Sequence, residues 1–371
     1  MPPEDIYETL RRYEFNKTEP ETLRELVKSA LKKGDLVRER MGKLKESIEE
    51  IEKIFKREHL FLEVYLSDMD YISYRKMCAV GIDGSFQCVG GVGGIWYIPI
   101  SCARIVFENG IESLPQASIT AEIEEIDQHK YSNVEAEASV RMLLVETKAI
   151  NEWASISKSN SVIFVDGPLV DPPYYLDKNY VKYRCDAISR CLKKDILLIG
   201  CVKRIFGKPF INYVTNKILS DEGEKNRLKQ FTSDIHLINY LFTKLYLSGL
   251  KGTLYTSPVD ISEEDEVHKA YLKNGIRIFS VFMQKDAFSS PIRVDIPQEI
   301  EFSNNVVLLV EKVIKIVCAW TYPGYDIPLP IVLAHNKCTV RKGCAEVLYD
   351  EIITRAASPD PYDNIVKTKL G

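Results

Sequence analysis

Three carboxylates interrupt hydrophobic patterns in this 371-residue chain. Asp83 follows Val80-Gly81-Ile82 and precedes Gly84-Ser85, while Asp166 ends the run Val162-Ile163-Phe164-Val165 and precedes Gly167-Pro168. A lone carboxylate on a buried strand is costly unless a cation, a cap or a turn accounts for it. Either aspartate alone reads equally well as the Asp-Gly turn that ends many strands. Glu146 adds weight. On a helical wheel of residues 133–156 the apolar arc carries Ala138, Met142, Leu143, Val145, Ala149, Ile150 and Trp153, and Glu146 falls within it. Glu135 shares that arc but lies about 16 Å away along the helix, too far to serve one centre. A place in the first turn, where an acid favours the helix dipole, suits Glu135 instead. Two strand-borne aspartates and one helix-borne glutamate make a hard-oxygen set that suits Mg2+ or Mn2+ rather than zinc. Two such ions about 4 Å apart activate water and stabilise the leaving oxygen of a phosphodiester.

Two further residues have chemistry to offer. His335, one of five histidines, follows the mostly apolar run Leu329 to Ala334. It suits metal binding, phosphate positioning or proton transfer near neutral pH. On the residues alone, a satisfied histidine at a helix or loop boundary is the stronger reading. Lys203 ends a strand-like run and suits contact with a phosphate or an attacking water, with a solvated strand end a close second.

The elements that must position these groups are legible in outline. Residues 22–33 and 38–55 carry apolar residues at three- and four-residue spacing, punctuated by Gly34, which predicts an N-terminal helical hairpin over 1–58. Met41, Leu44, Ile48, Ile51 and Ile54 or Phe55 form a stripe narrow enough to pack on one partner surface. After His59 the texture turns to strands: residues 60–66, then two runs in 77–107 joined by Gly90, Gly91, Gly93 and Gly94. No Lys-Ser/Thr follows these glycines, so a hairpin is favoured over a nucleotide-binding loop. A strand at 118–126, the helix at 133–156 and a strand at 162–165 come next. A helix at 180–194 and a strand at 196–202 follow, then a helix at 235–247, strands near 276–283 and 292–296, and a helix at 304–320. Strands first in meander and then alternating with helices predict an α/β mixed sheet flanked by helices over 59–355. Residues 356–371 read as a loose tail.

Composition sets bounds. An apolar share of 45% supports a sizeable core. No apolar run is long enough for a membrane span, and the polar start MPPEDIYETL lacks a secretory signal, so a soluble, cytoplasmic protein is expected. Nine cysteines without CxxC spacing read as buried or free thiols. A net charge of -4 excludes a broad basic surface but not a local basic groove. Lys203, Arg204 and Lys208 make one basic group, and Lys225, Arg227 and Lys229 another. Phe210 and Tyr213 are candidates for stacking on bases, though a core role fits them at least as well.

A strand aspartate, a helix glutamate and a later strand aspartate, in that order, follow the logic of RNase H-like nucleases. The chain resembles the NurA family of archaeal and bacterial nucleases through GIDGSFQ at Gly81, Arg141 to Glu146, VIFVDGPL ending at Leu169, and Lys203 in IGCVKRIFGKP. Ser233-Asp234, SSPIRVDIP (Ser289 to Pro297) and YDIPLPIVLAHNK (Tyr325 to Lys337) continue the order. Asp166 is followed by Gly-Pro where the family more usually has Gly-Ser. The Tyr325-to-His335 distance also departs from the commonest pattern. The resemblance implies an RNase H-like fold and two Mn2+ or Mg2+ ions surrounded by Asp83, Glu146, Asp166 and His335. It implies a tyrosine nearby, Tyr325 ranked before Tyr322, and Lys203 at the strand end. It further implies exonuclease action from 5′ ends, endonuclease action on single strands, and a homodimer working with a HerA-type hexameric translocase ATPase on DNA ends. Two other classes compete: an actin-like ATPase, whose phosphate hairpin GIDGS resembles, and a DNA-end-binding scaffold without activity.

Overall fold

The computed structural model describes residues 19–131, 133–157, 160–170, 178–203, 207–300 and 306–356. Its elements run α1 (Pro20–Arg57), β1 (Phe61–Val64), α2 (Asp68–Arg75), β2 (Cys78–Phe86), β3 (Val89–Gly90), β4 (Ile95–Phe107) and β5 (Gln116–Asp127). There follow α3 (Val134–Ile156), β6 (Ser161–Asp166), α4 (Lys178–Lys193), β7 (Leu197–Val202), α5 (Pro209–Tyr213), α6 (Glu222–Lys229) and α7 (Asp234–Leu247). The chain continues through β8 (Thr253–Thr256), β9 (Val259–Asp260), α8 (Glu266–Lys273), β10 (Ile276–Gln284) and β11 (Ile292–Glu299), and closes with α9 (Val306–Trp320), α10 (Leu329–Cys338) and α11 (Lys342–Ala356). The strands form one sheet in the order β1-β8-β10-β11-β7-β6-β2-β4-β3, with β5 on β4 and β9 on β10.

β6 runs parallel to both β2 and β7, and the other pairings are antiparallel. The four apolar residues before Asp166 are buried on both faces, as a central parallel strand under two helical layers requires. One core fills the face covered by α1, α3, α4 and α7. The other lies under α9 and α10. The mixed sheet flanked by helices is the architecture expected from the pattern. No helix among the described residues is long and apolar enough to cross a membrane.

The N-terminal hairpin is corrected. Residues 20–57 form one continuous 38-residue helix that passes straight through Gly34. A glycine in a helix interior costs only about 1 kcal/mol relative to alanine. A hairpin would need an apolar face between its halves, yet Leu26, Leu36 and Val37 are exposed. The stripe from Leu44 to Phe55 instead packs on α6 and α7 of the same chain, where Arg57 also makes a paired 2.8 Å contact with Glu224. A Cβ at Gly34 meets nothing within 4 Å. Gly34→Ala is therefore expected to stabilise the protein by about 0.5–1 kcal/mol in chemical denaturation.

The glycine turn between β2 and β4 is a hairpin as expected, and Gly90, Gly91, Gly93 and Gly94 all take positive φ. The short elements α2, α5, α6, α8, β8 and β9, and the longer α11, have no counterpart in the sequence reading. Residues 357–371, and so nearly all of the expected tail, lie outside the described residues, while Ala356 ends α11. All nine cysteines are free, six of them buried.

Gly81 positions the site. A Cβ there would stand 2.1 Å from the Pro330 carbonyl oxygen, so α10 lies backbone against backbone on β2.

Candidate metal centre

Strands β2 and β6 are in register with Ile82 beside Val165. The next residue of each is Asp83 and Asp166, so the two acids stand side by side where the parallel pairing of β2 with β6 stops, while β2 itself runs on to Phe86 against β4. Successive side chains on a strand alternate between faces. Gly81 faces α10, so Asp83 does too. The last turn of α10 then brings His335 over the pair. One ligand atom from each of Asp83, Asp166 and His335 lies within 4.8 Å of the others. The His335 Nδ1 atom is 2.8 Å from Asp83 Oδ2 and 3.8 Å from Asp166 Oδ2. Lys203, at the end of β7, donates from Nζ to Asp166 Oδ2 at 2.7 Å. The Cys338 thiol donates to Asp83 Oδ2 at 3.2 Å.

Glu146 approaches from the other face. It is buried at 2% exposure on α3, as the helical wheel predicted, while Glu135 sits exposed in the first turn. Gly84 faces α3, and a Cβ there would meet Glu146 Oε1 at 2.8 Å. The missing side chain opens a window through which Glu146 reaches the strand that carries Asp83. Glu146 is not one of the three residues whose ligand atoms converge within 4.8 Å. The two aspartates are nevertheless close enough to act on its charge.

Burial dominates the electrostatics of this region. It pushes the Glu146 carboxyl up to about 8, with Asp83 and Asp166 adding to the rise and the Arg184 guanidinium opposing it. The Asp83 carboxyl is also raised, first by burial and then by the Asp166 charge. Carboxylates packed this closely need a counter-charge.

The other expected residues fall as follows. Tyr325 and Tyr322 lie exposed in the loop before α10, and among the described residues neither joins the hydrogen bonds of the acid cluster. Arg204 is outside the described residues. Lys225 pairs with Glu222 on its own helix. Phe210 is fully buried in the core, which rules out stacking on a base, and Tyr213 packs against the same core. Asp234 caps α5 by accepting from the Phe210 and Ile211 amides, and its burial pushes it up to about 7.

Arg184, Asp295 and Cys338 escaped the sequence reading. Arg184, 1% exposed, donates to Thr147 Oγ1 on the glutamate helix at 3.2 Å and reaches the Leu169 carbonyl of the loop after Asp166 at 3.5 Å. Asp295, fully buried, accepts from Ser280 at 2.6 Å and from the Leu169 amide at 3.4 Å. Both tie the loop after Asp166 to neighbouring elements. A signal existed: Arg184 interrupts the apolar arc of Tyr180, Val181, Ala187 and Ile188, as Glu146 interrupts its own.

The family model described as NurA domain matches residues 79–340, well over half of the chain. The chain belongs to the NurA family. The NurA nuclease of Sulfolobus solfataricus has a similar crystal structure, with TM-score 0.56 and 12% identity over 93% of this chain and 100% of that one. A NurA structure bound to dAMP and manganese matches 88% of this chain and 98% of its own at 11% identity, with TM-score 0.46. Endonuclease V of Ciona intestinalis in complex with DNA matches 82% and 96% at 14% identity, with TM-score 0.35. No curated protein sequence matches. Membership in NurA makes the chain a nuclease with an RNase H-like core, and its acid cluster lies inside the matched segment.

Proposed function

We propose that this NurA protein is a divalent-metal-dependent DNA nuclease that acts on DNA ends through Asp83, Asp166, His335 and Glu146. The observation that carries this reading is the convergence of Asp83, Asp166 and His335 where the parallel pairing of β2 with β6 stops. The donor set fits a hard cation such as Mn2+ or Mg2+: carboxylate oxygens with one imidazole, and an acid whose pKa is raised by burial and then by the Asp166 charge beside it, both of which a cation would offset. Asp83, Asp166 and His335 would hold one ion and Glu146 would help hold a second. Bound there, the ions supply an activated water and charge neutralisation at the phosphodiester.

The remaining work falls to the chain's own residues. Asp166 and Asp83 fix the position of positive charge relative to the strand ends. His335, half exposed at the rim, is placed to orient a phosphate or pass a proton to a leaving oxygen. Lys203 neutralises Asp166 and presents an ammonium toward the open side. Tyr325, exposed on the loop that leads into α10, is the tyrosine proposed to approach the scissile group. The NurA relationship supports 5′-to-3′ exonuclease and single-strand endonuclease activity, a homodimer and a HerA-type ATPase partner.

The test is cleavage of end-labelled duplex and single-stranded DNA with Mn2+ or Mg2+. Degradation that chelation abolishes is expected, and DNA left intact at every metal concentration overturns the reading. Lys203→Met is expected to slow cleavage by about 10- to 100-fold, the usual effect of a group that supports a metal ligand. Steady-state rates at saturating Mn2+ check this.

A further inference from the structure

We infer that Arg184 is a positioning residue of the metal centre: from α4 it ties the helix that carries Glu146 to the loop that follows Asp166, and so fixes the separation of the two acids. The inference rests on the reading of the acid cluster as a nuclease centre. Thr147, the residue after Glu146 on α3, points about 100° away from it around the helix, toward α4. There its Oγ1 lies 3.2 Å from Arg184 Nη1. The Thr147 hydroxyl donates to the Leu143 carbonyl at 2.7 Å, so it serves Arg184 as an acceptor. Arg184 Nε stands 3.5 Å from the carbonyl oxygen of Leu169, three residues beyond Asp166. The amide of that same Leu169 faces Asp295 Oδ2 at 3.4 Å. One residue of the loop is thus held at both polar ends by buried groups of opposite charge. Gly200 makes room for it: a Cβ there would stand 3.0 Å from Leu169 Cγ and 2.9 Å from the Gly167 carbonyl oxygen. The loop therefore lies directly on β7.

Packing alone does not account for a guanidinium at 1% exposure. Burying one is costly, and an apolar side chain of similar volume would fill the space between α3 and α4 as well or better. What the planar fork adds is a pair of N–H contacts in fixed directions, one to each element. Its charge also acts on Glu146, against the rise that burial imposes. Groups that share a reaction centre must be held to within about 0.5 Å of the working geometry. Glu146 and Asp166 come from a helix and a strand end, and the Arg184 bridge is the link that holds them to that tolerance.

Arg184→Lys and Thr147→Val test this in the whole protein. Lysine keeps the charge without the two directed contacts, and valine keeps the shape of threonine without the acceptor. Each should weaken Mn2+ binding, read by electron paramagnetic resonance without DNA, and lower kcat by on the order of 10- to 100-fold, with KM for DNA unchanged. The double variant should be no worse than the worse single one, since both remove the same bridge. Should Arg184→Lys fail to fold, Thr147→Val carries the test alone. Ile51→Val, in the buried stripe of α1, is the control for lost stability: it costs about 1 kcal/mol and should leave Mn2+ binding and kcat as in the wild type. Variants that melt lower but keep wild-type Mn2+ binding and kcat overturn the inference, as do losses that add in the double variant. Unweakened Mn2+ binding in variants of a protein that cleaves DNA overturns only the bridge. Weakened binding in variants of a protein that cleaves nothing supports the bridge and removes the proposed activity instead.

Discussion

Asp83→Asn is expected to lower DNA cleavage by on the order of 10³-fold, comparable to removing a single strong electrostatic contact to a transition state. The metal-free protein should be no less stable for the change. Asp83 is buried and stands beside Asp166, and both facts raise its pKa, so its ionised form is under strain at neutral pH. The amide keeps the size and an acceptor oxygen for His335 and Cys338 while removing the charge. Loss of activity together with an unchanged or higher melting temperature in chelator is thus the expected pair of results. Residual cleavage within tenfold of wild type would remove Asp83 from the site. A folded variant that still binds Mn2+ as the wild type does would do the same.

The stability of the metal-free protein should fall as pH rises, and Glu146→Gln should flatten that fall. The buried Glu146 carboxyl titrates at about 8 in the folded chain, against an ordinary 4.5. The folded state therefore holds the proton more tightly than the unfolded state. Its contribution is fully present below about pH 4.5 and is lost progressively as pH climbs through about 8. At about 1.4 kcal/mol for each pH unit, the gap sets a ceiling of about 5 kcal/mol, of which relaxation leaves a few. Asp83, raised in the same direction, and Asp234, at about 7, slope the same way. The difference between wild type and Glu146→Gln isolates the Glu146 share. Melting temperatures across this range in chelator provide the measurement. Saturating Mn2+ should remove the Glu146 and Asp83 shares of the wild-type slope, because a bound cation takes the place of the proton there, and leave the Asp234 share. Parallel curves for the two proteins would show that Glu146 is not held protonated.

Legibility followed chain-local physics. Asp83, Asp166 and Glu146 showed in the sequence because each breaks a hydrophobic rhythm, and the structure buries or half-buries all three. That Glu146 arrives through the Gly84 window, from the face opposite His335, was not legible, since it depends on how α3 docks on the sheet. The single helix through Gly34 was missed because a glycine punctuates a pattern without supplying a partner for the two halves. β8, four buried residues long, is too short to show a period, and α2 buries no residue at all. Arg184 and Asp295 also interrupt apolar runs, but their role is to brace the loop after Asp166 from distant segments of the chain, and residue spacing does not encode such contacts. The exposure of Tyr325 and Tyr322 depends on the path of a loop, about which residue spacing says little.

Where α10 meets β2, no side chain stands between the two backbones. Elsewhere in the core, a lost methyl or a shifted helix is absorbed as neighbours change rotamer, and such drift alters distances by fractions of an ångström. Direct main-chain contact has no such slack. The histidine at the far end of that helix therefore inherits its placement from the sheet itself. Sequence change in the surrounding layers can accumulate without detuning it, and a family can diverge widely in its core while the working edge holds its gauge.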